Sequence, residues 1–260
     1  MSLPWLAALC FGRAFGAESS PRATAPSYTS ASIVNSATNL AGSLAPNAIA
    51  TIYGTDLSYN TAFGPGGVKS GDMPVNLGGA SVFVAGMAAP LYYVSPKQIN
   101  LVIPSWLYPG DVDLYVSRDG TQGPHVKIHV NDSCPGFFEW EPGMIASTDA
   151  RGAVITKEHP AQAGEVVVLY GTGLGRTNPP AVSDQIDMTA APIADPSQLR
   201  VLVAGTAVPA ASVYYAGLTP GIPGLYQVNV KLPSSSPQNP EVRVAIGGQT
   251  SPAGMRLPLH

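Results

Sequence analysis

The chain has 260 residues, of which 45% are hydrophobic and 11% are charged, and this composition excludes a disordered protein kept unfolded by charge repulsion. The net charge of −3 and the 13 scattered basic residues provide no basic surface for nucleic acid or for an anionic membrane. The 28 glycines and 26 prolines indicate many turns between short apolar segments, which is typical of all-β proteins.

The first predicted element is a secretory leader at residues 1–17. Its short apolar run, residues 3–11, is followed by small residues near Ala17. The run is far shorter than the roughly 20 residues that a membrane-spanning helix needs, so no membrane span is expected. We therefore expect a secreted or cell-surface protein. Removal of the leader would leave Cys134 as the single cysteine, and a disulfide between Cys10 and Cys134 is the alternative.

Residues 18–30 are rich in Ser, Thr, Pro and Ala, which predicts an extended tether. The edges of β-sandwiches are open for strand pairing. We therefore hypothesise a strand-addition oligomer, in which residues 18–34 complete the sheet of a neighbouring subunit.

The rest of the chain contains an internal repeat. Four landmarks recur in the same order, and their length differences are confined to connections rich in Gly and Pro. The matched segments are 49–57 with 166–174, 82–86 with 201–205, 92–94 with 214–216, and 98–104 with 227–233.

Within each repeat the landmarks alternate between apolar and polar residues. Ile99, Leu101 and Ile103 share one face of the segment 98–103, and Gln98, Asn100 and Val102 share the other. Residues 227–232 alternate in the same way, and no window has a sustained helical period. The sequence predicts an all-β protein of two tandem Ig-like β-sandwiches that arose by internal duplication, at residues 31–132 and 133–260.

The order of these landmarks resembles that of the IPT/TIG class of Ig-like sandwiches. More specifically, residues 213–230 are similar to an uncharacterised bacterial C-terminal domain family that is abundant in acidobacteria. The resemblance covers about residues 31–259. It implies a secreted or surface-attached protein and brings no catalytic residues with it.

No cofactor, metal or catalytic site is expected. The glycine-rich segment 171–175 is followed by residues that cannot begin a helix, so it indicates a tight turn rather than a dinucleotide loop. A lysine separates His125 from His129, which opposes zinc binding. Calcium is a minor alternative for the acidic residues of one predicted strand and turn, which are Asp111, Asp113 and Asp119. The sequence has no Gly-x-Ser-x-Gly elbow, and Cys134 has no basic neighbour.

Three aromatic residues break the repeat symmetry and are the candidate ligand or partner contacts. They are Trp106, Tyr108 and Trp140. They would either form a contact surface for sugar rings or for a protein, or pack the junction between the sandwiches. We expect a non-catalytic extracytoplasmic interaction protein, acting in adhesion, display or assembly, with a protein, another copy or a surface glycan as partner. A carbohydrate-binding module is the alternative.

Overall fold

A computed structural model describes residues 24–42, 44–64 and 71–260. These residues form an all-β structure, as predicted, with three short 3-10 turns at Ser30–Ser32, Pro196–Gln198 and Ala210–Ser212. The described part contains no helix that is long and apolar enough to cross a bilayer. The predicted leader and Cys10 lie outside the described residues.

Eleven of the strands lie in the first half of the chain. In order they are β1 (Ile33–Asn35), β2 (Ile49–Tyr53), β3 (Ala62–Phe63), β4 (Gly71–Asp72), β5 (Ala80–Val84), β6 (Met87–Ala88), β7 (Leu91–Ser95), β8 (Gln98–Val102), β9 (Gly110–Arg118), β10 (Thr121–Gln122) and β11 (Val126–Val130).

The second half supplies thirteen strands. In order they are β12 (Gly136–Phe137), β13 (Glu139–Glu141), β14 (Met144–Ile145), β15 (Ser147–Asp149), β16 (Val166–Thr172), β17 (Gln185–Ile186), β18 (Ala191–Pro192), β19 (Arg200–Val203), β20 (Thr206–Ala207), β21 (Val213–Leu218), β22 (Tyr226–Lys231), β23 (Val242–Ile246) and β24 (Gln249–Thr250).

Two antiparallel sheets enclose the core of the first half. One has the order β1-β2-β8-β7-β3, and the other has the order β10-β9-β5-β6 with β11 also beside β9. Alternate residues of β5 and β8 point inward, because successive side chains of a strand face opposite sides of the sheet. The largest fully buried side chains of this core are Ile33, Leu44, Ile52, Leu57, Leu91, Ile99, Leu101, Ile103 and Leu114.

The second half repeats this arrangement around its own core. One sheet has the order β12-β16-β22-β21-β18, with β15 also beside β16, and the other has the order β20-β19-β23-β24. Among the buried residues of this core are Ile145, Val167, Leu169, Val201, Tyr226, Val230, Val242, Val244 and Leu257.

Strand register also recurs between the halves. Tyr53 pairs with Gln98 across β2 and β8, and Tyr170 pairs with Gln227 across β16 and β22. In both halves a register shift falls at the first tyrosine of the Tyr-Tyr pair, in β7 and in β21. This agreement in pairing supports the inference of an internal duplication.

The predicted tether requires a correction. From residue 24 onward the segment packs against the first half: Tyr28 is only 7% exposed, and Ser27 forms a β-bridge with Thr55. The segment packs because the Tyr28 ring enters the first core, a contact that composition alone does not reveal. The described part of the segment 18–34 also ends in β1, which pairs with β2 of its own chain. Strand addition to another subunit would therefore require β1 to leave its own sheet.

Hydrogen bonds join the two halves across the predicted boundary between residues 132 and 133. Cys134, which the sequence places in the second sandwich, packs in the first core, and Asn35 Nδ2 donates to its carbonyl oxygen at 2.9 Å. Thr172 Oγ1 accepts a hydrogen bond from the Ile49 amide at 2.9 Å and donates to the Gly224 carbonyl at 2.8 Å. In addition, β4 pairs with β17 of the other half.

Candidate functional site

The loop between β8 and β9, residues 103–109, presents two of the predicted aromatic residues at the surface. Leu107 is 2% exposed and anchors the loop in the first core. On either side of it Trp106 is 44% exposed and Tyr108 is 74% exposed. We call this segment the aromatic loop. A buried anchor between two exposed rings holds both rings outside the core.

Arg176 of the second half holds the aromatic loop in place. Its guanidinium donates from Nη1 to the Leu107 carbonyl at 3.2 Å and from Nη2 to Asp132 Oδ1 at 2.8 Å. Its Cζ also lies 4.8 Å from the centroid of the Tyr108 ring. A planar guanidinium suits both kinds of contact, stacking and hydrogen bonding. One arginine therefore ties the loop to both halves.

A second contact restrains the start of the loop. The Ser105 amide donates to Ser183 Oγ at 2.5 Å, and Ser183 Oγ donates to Ser105 Oγ at 2.8 Å. Like Arg176, Ser183 comes from the second half of the chain. The loop is thus ordered by residues distant in sequence.

A shallow polar groove begins at Arg176. Asp132, Asp195 and Gln198 line it together with apolar residues of the second half. Asp195 accepts hydrogen bonds from Ser197 Oγ at 2.5 Å and from Gln198 Nε2 at 2.6 Å. These bonds hold the pKa of Asp195 below its usual range. The groove therefore presents hydrogen-bonding groups and an ionised carboxylate, not a proton-donating acid.

Trp140 lies on a different element. It belongs to the hairpin of β13 and β14 and is 58% exposed. The hairpin is held by the segment near the end of the chain, where the Ile145 amide donates to the Arg256 carbonyl at 2.9 Å. Within the described residues, Trp140 forms no hydrogen bond, ion pair or ring contact with the aromatic loop. The candidate site thus contains Trp106 and Tyr108 without Trp140.

The histidines of β11 and its flank have partners supplied by β9. His129 Nδ1 lies 2.6 Å from Asp111 Oδ1, and Lys127 Nζ lies 3.0 Å from Asp113 Oδ1. The His125 ring stacks on Tyr115 at 4.3 Å between centroids. Strand pairing between β9 and β11 brings these carboxylates beside His129 and Lys127. In residues 24–42, 44–64 and 71–260, no three His, Cys, Asp or Glu side chains are grouped for a metal ion.

The glycine-rich segment 171–175 forms a tight turn beside Cys134. Gly173 has φ +80°, and a Cβ there would overlap the Cys134 carbonyl oxygen. No helix follows the turn, as predicted. Cys134 itself is 3% exposed, and Asn35 Nδ2 lies 3.4 Å from its Sγ. The glycines therefore allow the backbone of the turn to lie close to the backbone at Cys134, at the junction of the two halves.

Sequence reasoning missed the residues that organise the aromatic loop. Arg176 follows the glycine turn, and Ser183 lies in the connection that follows Pro179 and Pro180. Neither has a local pattern that marks it. The available signal was the broken repeat symmetry of the loop, which located Trp106 and Tyr108 but not their partners.

No family model and no curated protein matches this chain. Solved structures resemble it remotely. The surface glycan-binding protein PbSGBP-B from Prevotella bryantii is 14% identical with a TM-score of 0.28, over 90% of this chain and 42% of that one. Domains 5–6 of the S-layer protein SbsC are 12% identical with a TM-score of 0.25, over 90% of this chain and 98% of that one.

The Escherichia coli adhesin FdeC is 12% identical with a TM-score of 0.24, over 91% of this chain and 66% of that one. The chain thus spans less than half the length of the Prevotella protein. At these identities and TM-scores, the likeness assigns neither a family nor a function to this chain.

Proposed function

We propose that this chain is a non-catalytic interaction protein that acts outside the cytoplasm, in surface adhesion, display or assembly. The observation that carries the proposal is the aromatic loop, which exposes Trp106 and Tyr108 while Arg176 holds it in place. We also propose the finer assignments: IPT/TIG-like sandwiches at residues 31–132 and 133–260, and a secretory leader at residues 1–17.

The loop has the properties of an interaction surface. Tryptophan, tyrosine and arginine are enriched among the residues that contribute most of the free energy of protein association. A loop that is already ordered loses little conformational entropy on binding. Leu107, Arg176 and Ser183 supply that order before any partner arrives. A protein, or another copy of this chain, is the partner that we favour.

A glycan is the second candidate ligand of the same loop. The Tyr108 ring has Arg176 on one side and is still 74% exposed. The polar groove with Asp132, Asp195 and Gln198 begins at the same arginine. An exposed ring beside hydrogen-bonding side chains is a combination that orients a polar ligand.

The test is the double variant Trp106→Ala/Tyr108→Ala. We expect its binding to weaken at least about tenfold, in self-association by light scattering or in binding to an array of immobilised glycans. Trp140→Ala removes a ring from another element whose exposure, 58%, lies between those of Trp106 and Tyr108, and it is the matched control. Unchanged binding by the double variant in both assays would refute the proposed role of the loop. Loss in the glycan assay alone would favour the second candidate.

A further inference from the structure

We propose that the outer faces of two sheets, one in each half, are equivalent binding sites for a neutral, hydroxyl-rich polysaccharide. In each face a hydrogen-bonded Gln-Asn pair lies between tyrosines on the side of the sheet away from the core. The inference rests on the proposed non-catalytic interaction role and names a ligand class for it. The site is separate from the aromatic loop.

The first face is formed by β2, β8 and β7. Across β2 and β8, Tyr53 pairs with Gln98 and Thr51 pairs with Asn100. On the other side of β8, Tyr93 pairs with Asn100. Ile99 lies between Gln98 and Asn100 along β8 and points into the core. The side chains that share the outer face are therefore Thr51, Tyr53, Tyr93, Gln98 and Asn100. We call this group the amide face.

Hydrogen bonds orient the two amides of this face. Asn100 Oδ1 accepts from Thr51 Oγ1 at 3.1 Å and from Gln98 Nε2 at 2.9 Å. Asn100 Nδ2 and Gln98 Oε1 form no hydrogen bond within the described residues. The oriented pair therefore offers the Asn100 Nδ2 amino group as a donor beside Gln98 Oε1 as an acceptor. Adjacent hydroxyl groups of a sugar match that pair, because each hydroxyl both donates and accepts.

Aromatic rings flank the amide pair. Phe63 is 75% exposed and its ring centroid lies 5.3 Å from that of Tyr93, while Tyr53 is 40% exposed on the opposite side. Rings of this kind contact the apolar faces of sugar rings. The side chains of the amide face carry no charge, which favours a neutral chain over an anionic one.

The second half repeats the Gln-Asn pair and its flanking tyrosines on β16, β22 and β21, with Val168 in the place of Thr51 and Lys231 in the place of Val102. Tyr170 pairs with Gln227, and Tyr215 pairs with Asn229. Gln227 Nε2 donates to Asn229 Oδ1 at 3.1 Å, as Gln98 donates to Asn100. Packing restrains the core side of a strand far more than its outer side. The recurrence of the same outer side chains therefore points to a shared ligand.

The experiment uses Asn100→Asp and Asn229→Asp, alone and combined. Each change keeps the oxygen that accepts from the neighbouring glutamine and removes the Nδ2 donor. The probes are insoluble cellulose, insoluble starch, and soluble mixed-linkage β-glucan and xyloglucan, tested by pull-down and by affinity electrophoresis. We expect wild type to bind at least one of them, each single variant to bind about tenfold more weakly, and the double variant to lose more than either.

Two controls separate this inference from the proposed function. Gln249→Ala removes an exposed amide on β24 and is expected to bind like wild type. Trp140→Ala removes an exposed ring on β13, outside both amide faces, and is expected to retain polysaccharide binding. The loop variant Trp106→Ala/Tyr108→Ala is measured on the same four polysaccharides to separate the two sites. Wild-type binding by the double Asp variant, or no binding of wild type to any of the four polysaccharides, would overturn the inference. Loss of polysaccharide binding in the loop variant alone would also overturn the inference about the amide faces. The proposed interaction role of the aromatic loop would then remain supported.

Discussion

Single tyrosine hydroxyls hold together parts of the chain that are far apart in sequence. Tyr28 OH donates to the Pro124 carbonyl at 2.6 Å and accepts from the Val116 amide at 2.7 Å. Tyr92 OH donates to the Pro223 carbonyl at 2.6 Å, across the junction of the two halves. Burial raises the pKa of Tyr28 to about 12 and raises the pKa of Tyr92 as well. Both hydroxyls therefore remain protonated donors at neutral pH.

Tyr28→Phe tests this role for the N-terminal segment. The change keeps the ring in the first core but leaves the Val116 amide and the Pro124 carbonyl without that partner. We expect the free energy of unfolding to fall by about 1–3 kcal/mol, the cost of a buried polar group left unsatisfied. Urea unfolding followed by circular dichroism measures it.

Tyr59→Phe is the matched control. Tyr59 is 54% exposed, and its ring lies 4.1 Å from the Arg118 guanidinium, a contact that phenylalanine retains. We expect a change within about 0.5 kcal/mol, as for most surface substitutions. Equal effects of the two changes would show that the Tyr28 hydroxyl does not fix the segment.

At the scale of elements, the turn after β15 depends on one carboxylate. Asp149 accepts from the Ala153 amide at 2.9 Å and from the Arg151 side chain at 2.9 and 3.0 Å, and also from the Arg151 amide at 2.8 Å. These bonds hold the pKa of Asp149 below its usual range. The ionised carboxylate organises the turn that follows β15.

This lowered pKa makes the turn sensitive to acid. A carboxyl group whose pKa is lower in the folded state stabilises the fold above its unfolded pKa, which is about 3.9 for Asp. The stabilisation is lost as the pH falls through the folded pKa. We expect Asp149→Asn to be less stable than wild type at pH 7, with the difference shrinking as the pH falls below about 4. Urea unfolding at pH 7 and pH 3 measures both differences.

Asp184→Asn provides the comparison, because Asp184 is exposed and its side chain forms no hydrogen bond or ion pair within the described residues. We expect its stability to follow that of wild type at both pH values. A difference between Asp149→Asn and wild type that stays constant from pH 7 to pH 3 would show that ionisation of Asp149 is not the cause.

Local patterns predicted the strands of the fold, but not the contacts between distant segments. The alternation around Ile99 and Leu101 identified β8 and its core face, because strand periodicity is a local property. The packing of Tyr28 and the contacts of Arg176 depend on loops brought together by folding. Broken repeat symmetry located Trp106 and Tyr108, whereas their exposure and partners required the structure.

For the whole molecule, the two halves differ where one docks on the other. Val102 lies on the outer face of β8 and is 1% exposed, because the segment 219–225 of the second half covers it. The equivalent residue of β22 is Lys231, which is exposed. An apolar residue on the outer face marks the covered half, and a charged residue marks the solvated one. The asymmetry between duplicated halves is therefore encoded at this position.

Gly224→Ala tests whether this docking couples the halves. Gly224 has φ +77°, and a Cβ there would lie 2.7 Å from Ile49 Cγ1 and 3.1 Å from the Asn47 carbonyl oxygen. Gly248 has a similar φ of +81° with open space around it, so Gly248→Ala isolates the backbone cost. We expect Gly248→Ala to lower the free energy of unfolding by about 1–2 kcal/mol. Gly224→Ala should lower it by about 1–3 kcal/mol more, because the added methyl group pushes the two halves apart.

Calorimetry distinguishes a local strain from a loss of coupling. We expect the hydrogen bonds through Thr172 and Tyr92 to make the halves unfold together, so wild type and Gly248→Ala should each give a single transition. In Gly224→Ala these bonds lengthen as segment 219–225 withdraws from Val102, and the transition should split in two. Equal stability losses and single transitions in both variants would contradict this prediction. They would mean that segment 219–225 packs against the first half without coupling the unfolding of the two halves.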